Sequence, residues 1–150
     1  MSQFLLVLFS LVMPFTSSNE VGDPYTVGDK VEDFNLKSVD GNMYSLSSAK
    51  NVKGYIVVFT CNHCPYAVMY EDRMNDLNAF ANKNDFALFA INPNDPNKVP
   101  EDGFAEMQVR AKEKGFEFPY MMDDGQKVYP KWGATKTPHA YVLDANMVIQ

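Results

Sequence analysis

Two cysteines occur in the 150-residue chain, Cys61 and Cys64, separated by Asn62 and His63. A disulfide across so short a ring staples little, because chain entropy gives about 2 kcal/mol for a four-residue loop before any strain. Exchange chemistry accounts better for the spacing: one thiolate attacks, and a second thiol three positions on displaces what the first has captured. Cys61 is the expected attacking thiolate and Cys64, deeper in the following helix, the expected resolving thiol. At the first turn of a helix, unpaired backbone N–H groups and the macrodipole favour an anion by about 0.3–2 kcal/mol. His63 adds to this by donating to the Cys61 sulfur, or by charging and attracting it. Such stabilisation of the reduced form makes the disulfide a better oxidant, by about 30 mV for each 1.4 kcal/mol.

That chemistry needs a strand before the pair and a helix after it. Residues 55–60, Tyr-Ile-Val-Val-Phe-Thr, are apolar and rich in β-branched side chains, which predicts a central strand covered on both faces. From Cys64 the period changes: Ala67, Tyr70, Met74, Leu77 and Ala81 step by three and four, with Glu71-Asp72-Arg73 read as a solvated helix face. Residues 86–91, Phe-Ala-Leu-Phe-Ala-Ile, read as a second buried strand, parallel to the first through a right-handed crossover.

Around this unit, Asp40-Gly41 between short apolar stretches predicts a hairpin. Residues 92–103, with three prolines, read as a surface excursion. Residues 104–114 form a predicted helix ended by Gly115, and residues 124–132 a further one limited by Pro130. Residues 140–143 and 147–149 flank Asp144-Ala-Asn146 as a last hairpin, with the chain stopping inside a strand.

Composition bounds the rest. The length suits one domain, and 46% hydrophobic residues suffice for one core. A net charge of −6, without a dense Lys/Arg run, argues against a nucleic-acid partner. Residues 4–13 hold nine apolar residues out of ten, well short of the roughly 20 a membrane span needs. With Pro14 and Thr16-Ser17-Ser18 behind it, this run reads as a signal peptide over residues 1–18, leaving residues 19–150 as the domain in a periplasmic or secreted setting.

Taken together, Phe59-Thr-Cys61-Asn-His-Cys64-Pro65 after an apolar strand, Thr137-Pro138 before Ala140-Tyr-Val-Leu-Asp, and residues 34–41 resemble the redoxin branch of the thioredoxin superfamily, proteins akin to alkyl hydroperoxide reductase and thiol-specific antioxidant domains. The resemblance spans about residues 25–150. It implies an α/β three-layer sandwich with a central mixed sheet, an N-terminal hairpin extension and a C-terminal end truncated before the family's last helix. It also implies that Pro138 is a cis-proline facing the sulfurs, and that the Thr137 backbone is offered to an extended substrate segment. Asn62 is then expected on the surface between the sulfurs. Peroxide-reducing members carry Thr or Ser three residues before the reactive cysteine; here Val58 precedes Cys61, and Cys61 precedes Cys64, at that distance.

The reading is therefore a thiol-disulfide oxidoreductase acting on protein thiols or disulfides with a redox donor or acceptor protein, without cofactor or metal. A thiol-dependent peroxidase is the alternative within the family. Outside it stand a zinc site drawn from Cys61, His63, Cys64 and His139, and a non-catalytic binding module. His139 is otherwise expected on a strand surface near the pair.

Overall fold

A computed structural model describes residues 22–150; the expected leader, residues 1–18, lies outside them. In chain order the elements are β1 (Leu36–Lys37), β2 (Met43–Tyr44), β3 (Gly54–Phe59), α1 (Pro65–Lys83), β4 (Phe86–Asn92), α2 (Phe104–Lys114), β5 (Tyr120–Met122), α3 (Tyr129–Trp132) and β6 (His139–Asp144). The expected Asp40-Gly41 hairpin joins β1 to β2, with Gly41 at φ 90° where a side chain would be strained.

The central sheet is mixed, in the order β5-β4-β3-β6. β3 runs parallel to β4 and antiparallel to β6, and β4 runs parallel to β5. Every residue of β3 is buried because the period of two sends side chains into two cores. Tyr55, Val57 and Phe59 join Phe34, Phe89 and Trp132 on one side. Ile56 and Val58 join Met74, Leu88 and Met107 on the other, beneath α1 and α2. A continuously apolar strand inside a three-layer sandwich follows directly from that division.

Two helices depart from expectation. The buried stripe of α1 is Ala67, Glu71, Met74, Asn78 and Ala81, so Tyr70 is exposed and Glu71 is not part of a solvated face. The rotation is tolerated because α2 brings Lys114 Nζ to 3.1 Å and Arg110 Nη1 to 3.6 Å from the Glu71 carboxylate. The helix expected over residues 124–132 shrinks to Tyr129–Trp132, since the buried Asp123 carboxylate accepts the N–H groups of Lys127, Val128 and Tyr129 at 2.8–2.9 Å and holds the preceding chain in a turn. Of the predicted last hairpin, the first arm is the sheet strand β6 and the second meets it at one isolated bridge, Leu143 to Ile149, while Val148 bridges to Lys30 instead. Helix α2 ends as expected on Gly115, at φ 62°.

Candidate redox site

Five residues, 60–64, connect β3 to α1 along the end of the sheet. Helix α1 begins at Pro65, whose missing N–H costs nothing at the first helical position, and Cys64 is its N-cap. Cys61 lies three residues earlier and is only 3% exposed, whereas Cys64 is half-buried. The burial order expected from sequence is thus reversed: the turn at Asn62-His63 delays the helix, leaving Cys61 under the connector and Cys64 at its rim.

Opposite the pair stands the segment leading into β6. Because β6 pairs antiparallel with β3 and sets His139 against Phe59, residue 137 necessarily arrives beside the connector. The Thr137–Pro138 peptide is cis. Thr137 Oγ1 lies 3.1 Å from Cys61 Sγ, and the Cys64 thiol donates to the Thr137 carbonyl at 3.4 Å. Both cysteines are free thiols. A groove of about 310 Å³ runs along this side, bordered by His63, Cys64, Asn94, Tyr129, Lys136 and Thr137.

The connector is held from below by a residue that sequence reading did not single out. Asp102, in the 3-10 turn Pro100–Asp102, is fully buried. Its Oδ1 accepts the Asn62 N–H at 2.6 Å, and its Oδ2 accepts Asn94 Nδ2 at 2.6 Å and faces His63 Nδ1 at 2.5 Å. Asn62 therefore points inward rather than onto the substrate surface: its amide donates to the Glu101 carbonyl at 2.9 Å and accepts from Tyr120 Oη at 2.9 Å. Nothing in Pro-Glu-Asp-Gly marks its second acid as buried, and the prolines of residues 92–103 read as solvent-facing loop.

These environments separate the two thiols. Burial pushes the Cys61 thiol up, with the Thr137 hydroxyl opposing and the Asp102 charge adding to the rise. The backbone N–H of Ala67 holds Cys64 below the ordinary thiol range, outweighing a small burial cost, with Thr137 and the Tyr66 N–H assisting. Burial, and then the Asp102 charge, push Tyr120 well above the usual phenol range, so it remains a donor to Asn62.

Cys61, His63 and Asp102 bring sulfur, nitrogen and carboxylate oxygen within 4.8 Å of one another, a donor set that could hold zinc. The four-residue set expected from sequence is not assembled. His139 stacks on Tyr141 at 4.6 Å, and burial followed by the Lys136 charge lowers its basicity. The Asn62 N–H, the Asn94 amide and the His63 ring nitrogen already engage the Asp102 oxygens, which ties the cluster into a hydrogen-bond network.

Among protein families, the model described as the AhpC/TSA family matches residues 27–150. No curated protein matches. An uncharacterized conserved protein from Geobacillus kaustophilus superposes with a TM-score of 0.79 at 31% identity, over 83% of this chain and 66% of that one, so the chain spans just under two thirds of its length. A hypothetical protein from Sinorhizobium meliloti 1021 gives a TM-score of 0.79 at 28% identity, over 85% and 69%. The thioredoxin domain of a thiol-disulfide oxidoreductase from Bacteroides vulgatus gives 0.67 at 15% identity, over 83% and 86%, a likeness of fold alone.

Proposed function

The chain belongs to the AhpC/TSA family, and from that premise we propose that it is a thiol-disulfide oxidoreductase in which Cys64 attacks first and Cys61 resolves. The observation carrying this reading is the pairing of a half-buried thiol at the start of α1 with a fully buried one, both against a single threonine. In the reducing direction, Cys64 thiolate attacks one sulfur of a substrate disulfide and expels the other as thiolate. The Cys61 thiol then gives its proton to the departing substrate sulfur, attacks Cys64 Sγ and closes the Cys61–Cys64 disulfide. The substrate gains two electrons and the protein loses them; the reverse sequence donates a disulfide.

Protein substrates suit the surroundings of Cys64. Tyr66, Met69 and Tyr70 are exposed just beyond it on α1, offering apolar contact area. Thr137 borders the groove on the other side and, with the cis-proline Pro138 that follows it, orients the partner, while His63 sits at the rim with 42% of its side chain exposed. Export of residues 19–150 after loss of residues 1–18 is part of this proposal. Among the described residues no helix is long and apolar enough to cross a membrane.

Trapping tests the order. With a disulfide substrate, Cys61→Ser accumulates a mixed disulfide through Cys64, and Cys64→Ser does not. The opposite pattern reverses the roles, and trapping by neither variant, with no insulin reduction by the intact protein, ends the exchange reading.

A further inference from the structure

Resting on that reading, we propose that Asp102 is a positioning residue that reinforces the order of attack which burial begins, by setting a buried negative charge against Cys61 and by clamping the turn that separates the sulfurs. Asp102 lies 40 residues beyond Asn62 in the chain yet binds the backbone of one inter-cysteine residue and the ring of the other. Its carboxylate, the His63 nitrogen and Cys61 Sγ lie mutually within 4.8 Å. The Asn62 N–H and the Asn94 side-chain amide both donate to it, and the His63 ring nitrogen meets its second oxygen.

Burying a carboxylate is expensive unless its charge is matched. Yet among the described residues the only ion-pair partner of Asp102 is His63. Arg110 is committed to Glu71 at 3.6 Å and to the Asn62 carbonyl at 3.4 Å. The field of Asp102 is thus left partly unquenched on the side of Cys61. It disfavours a second anion there and leaves Cys64, the N-cap residue of α1, as the sulfur that ionises first.

Other charged or titratable groups face this centre from the packed elements. Glu71, with Arg110 and Lys114, lies behind Cys61; Tyr120 lies beneath it. Glu101, Glu106 and Glu113 border the outer face of His63, and Lys136 and Tyr129 the groove face. None of them makes an ion pair with Asp102 among the described residues, so replacing Asp102 changes the charge at the centre without releasing a lysine or arginine.

Single-cysteine proteins test the idea, each assayed for alkylation rate and thiolate absorbance against pH. In Cys64→Ser, where only Cys61 remains, adding Asp102→Asn accelerates alkylation at pH 7 by about tenfold, because an isosteric amide removes the charge. In Cys61→Ser, the same substitution changes Cys64 by much less. His63→Asn, at the exposed rim, acts in the opposite sense and slows Cys61, since the carboxylate loses its counterpart; this variant serves if Asp102→Asn does not fold. An Asp102→Asn protein with native circular dichroism and an unmoved Cys61 curve overturns the assignment and leaves Asp102 a structural clamp. So does an unmoved curve in His63→Asn. These curves need no substrate: if neither single-cysteine protein exchanges with any disulfide, the proposed function fails while the answer for Asp102 still stands.

Discussion

Thr137→Val separates the two chemical steps. The substitution keeps shape and the Thr137 carbonyl that receives the Cys64 thiol, and removes only Oγ1, 3.1 Å from Cys61 Sγ. A hydrogen bond to a charged group is worth about 1.5–3 kcal/mol, so its loss cuts the Cys61 thiolate population by about 13- to 160-fold. Each remaining thiolate is more nucleophilic, and a Brønsted coefficient of about 0.45 returns nearly half of the loss on a logarithmic scale. The net expectation is that closure of the Cys61–Cys64 disulfide slows by about four- to sixteen-fold at neutral pH. Formation of the mixed disulfide, which uses Cys64, changes much less. Rapid acid quench followed by mass spectrometry resolves the two species in time. Equal slowing of both steps would refute the division of roles, and an unchanged lifetime of the mixed disulfide would show that the hydroxyl does not act on Cys61.

Other substitutions probe the frame that holds this pair. Trp132→Ala empties a site 2% exposed and packed against Phe59 and Tyr141, and destabilises the fold by about 3–5 kcal/mol in urea titrations. Gly54→Ala sets a Cβ 2.3 Å from the Leu143 carbonyl and 2.5 Å from the Phe86 ring, prising β3 from β6; its thermal midpoint falls well below that of Lys53→Ala at the exposed neighbouring position. Asp123 is raised by burial, against the N–H groups of Tyr129, Lys127 and Val128, so its protonated form favours folding. That contribution is complete below the unfolded carboxyl value, about 3.9, and is lost as pH rises through the folded one. Urea midpoints between pH 3 and 7 check the sign: the deficit of Asp123→Asn relative to the parent is largest at the acid end, and a deficit growing with pH contradicts it. Metal analysis of protein purified under reducing conditions returns far less than one zinc per chain; one equivalent would replace the exchange reading with a metal centre.

The strand-helix-strand unit was legible because apolar periodicity is a local property. Residues 55–59 and 86–91 are runs too apolar for a wet face, and the change to steps of three and four after Cys64 marks the helix. Turn chemistry was equally local at Asp40-Gly41 and Gly115. What was not legible depends on partners far along the chain. Glu71 reads as solvated until α2 brings Lys114 and Arg110 over it. Asn62 reads as substrate surface until Asp102 and Tyr120 turn it inward. The relative depth of Cys61 and Cys64 was misjudged because the helix begins one residue after the second cysteine, a boundary that hydrophobic period alone does not fix.

Trp132 is the sole tryptophan, and it sits edge-on to Phe59, the last residue of β3, with its carbonyl receiving the Tyr141 hydroxyl at 2.6 Å. The protein consequently carries a native optical reporter in the layer under the connector. Its emission shifts to the red when that layer opens to water, so loss of the fold can be followed without attaching a dye, and without occupying either sulfur.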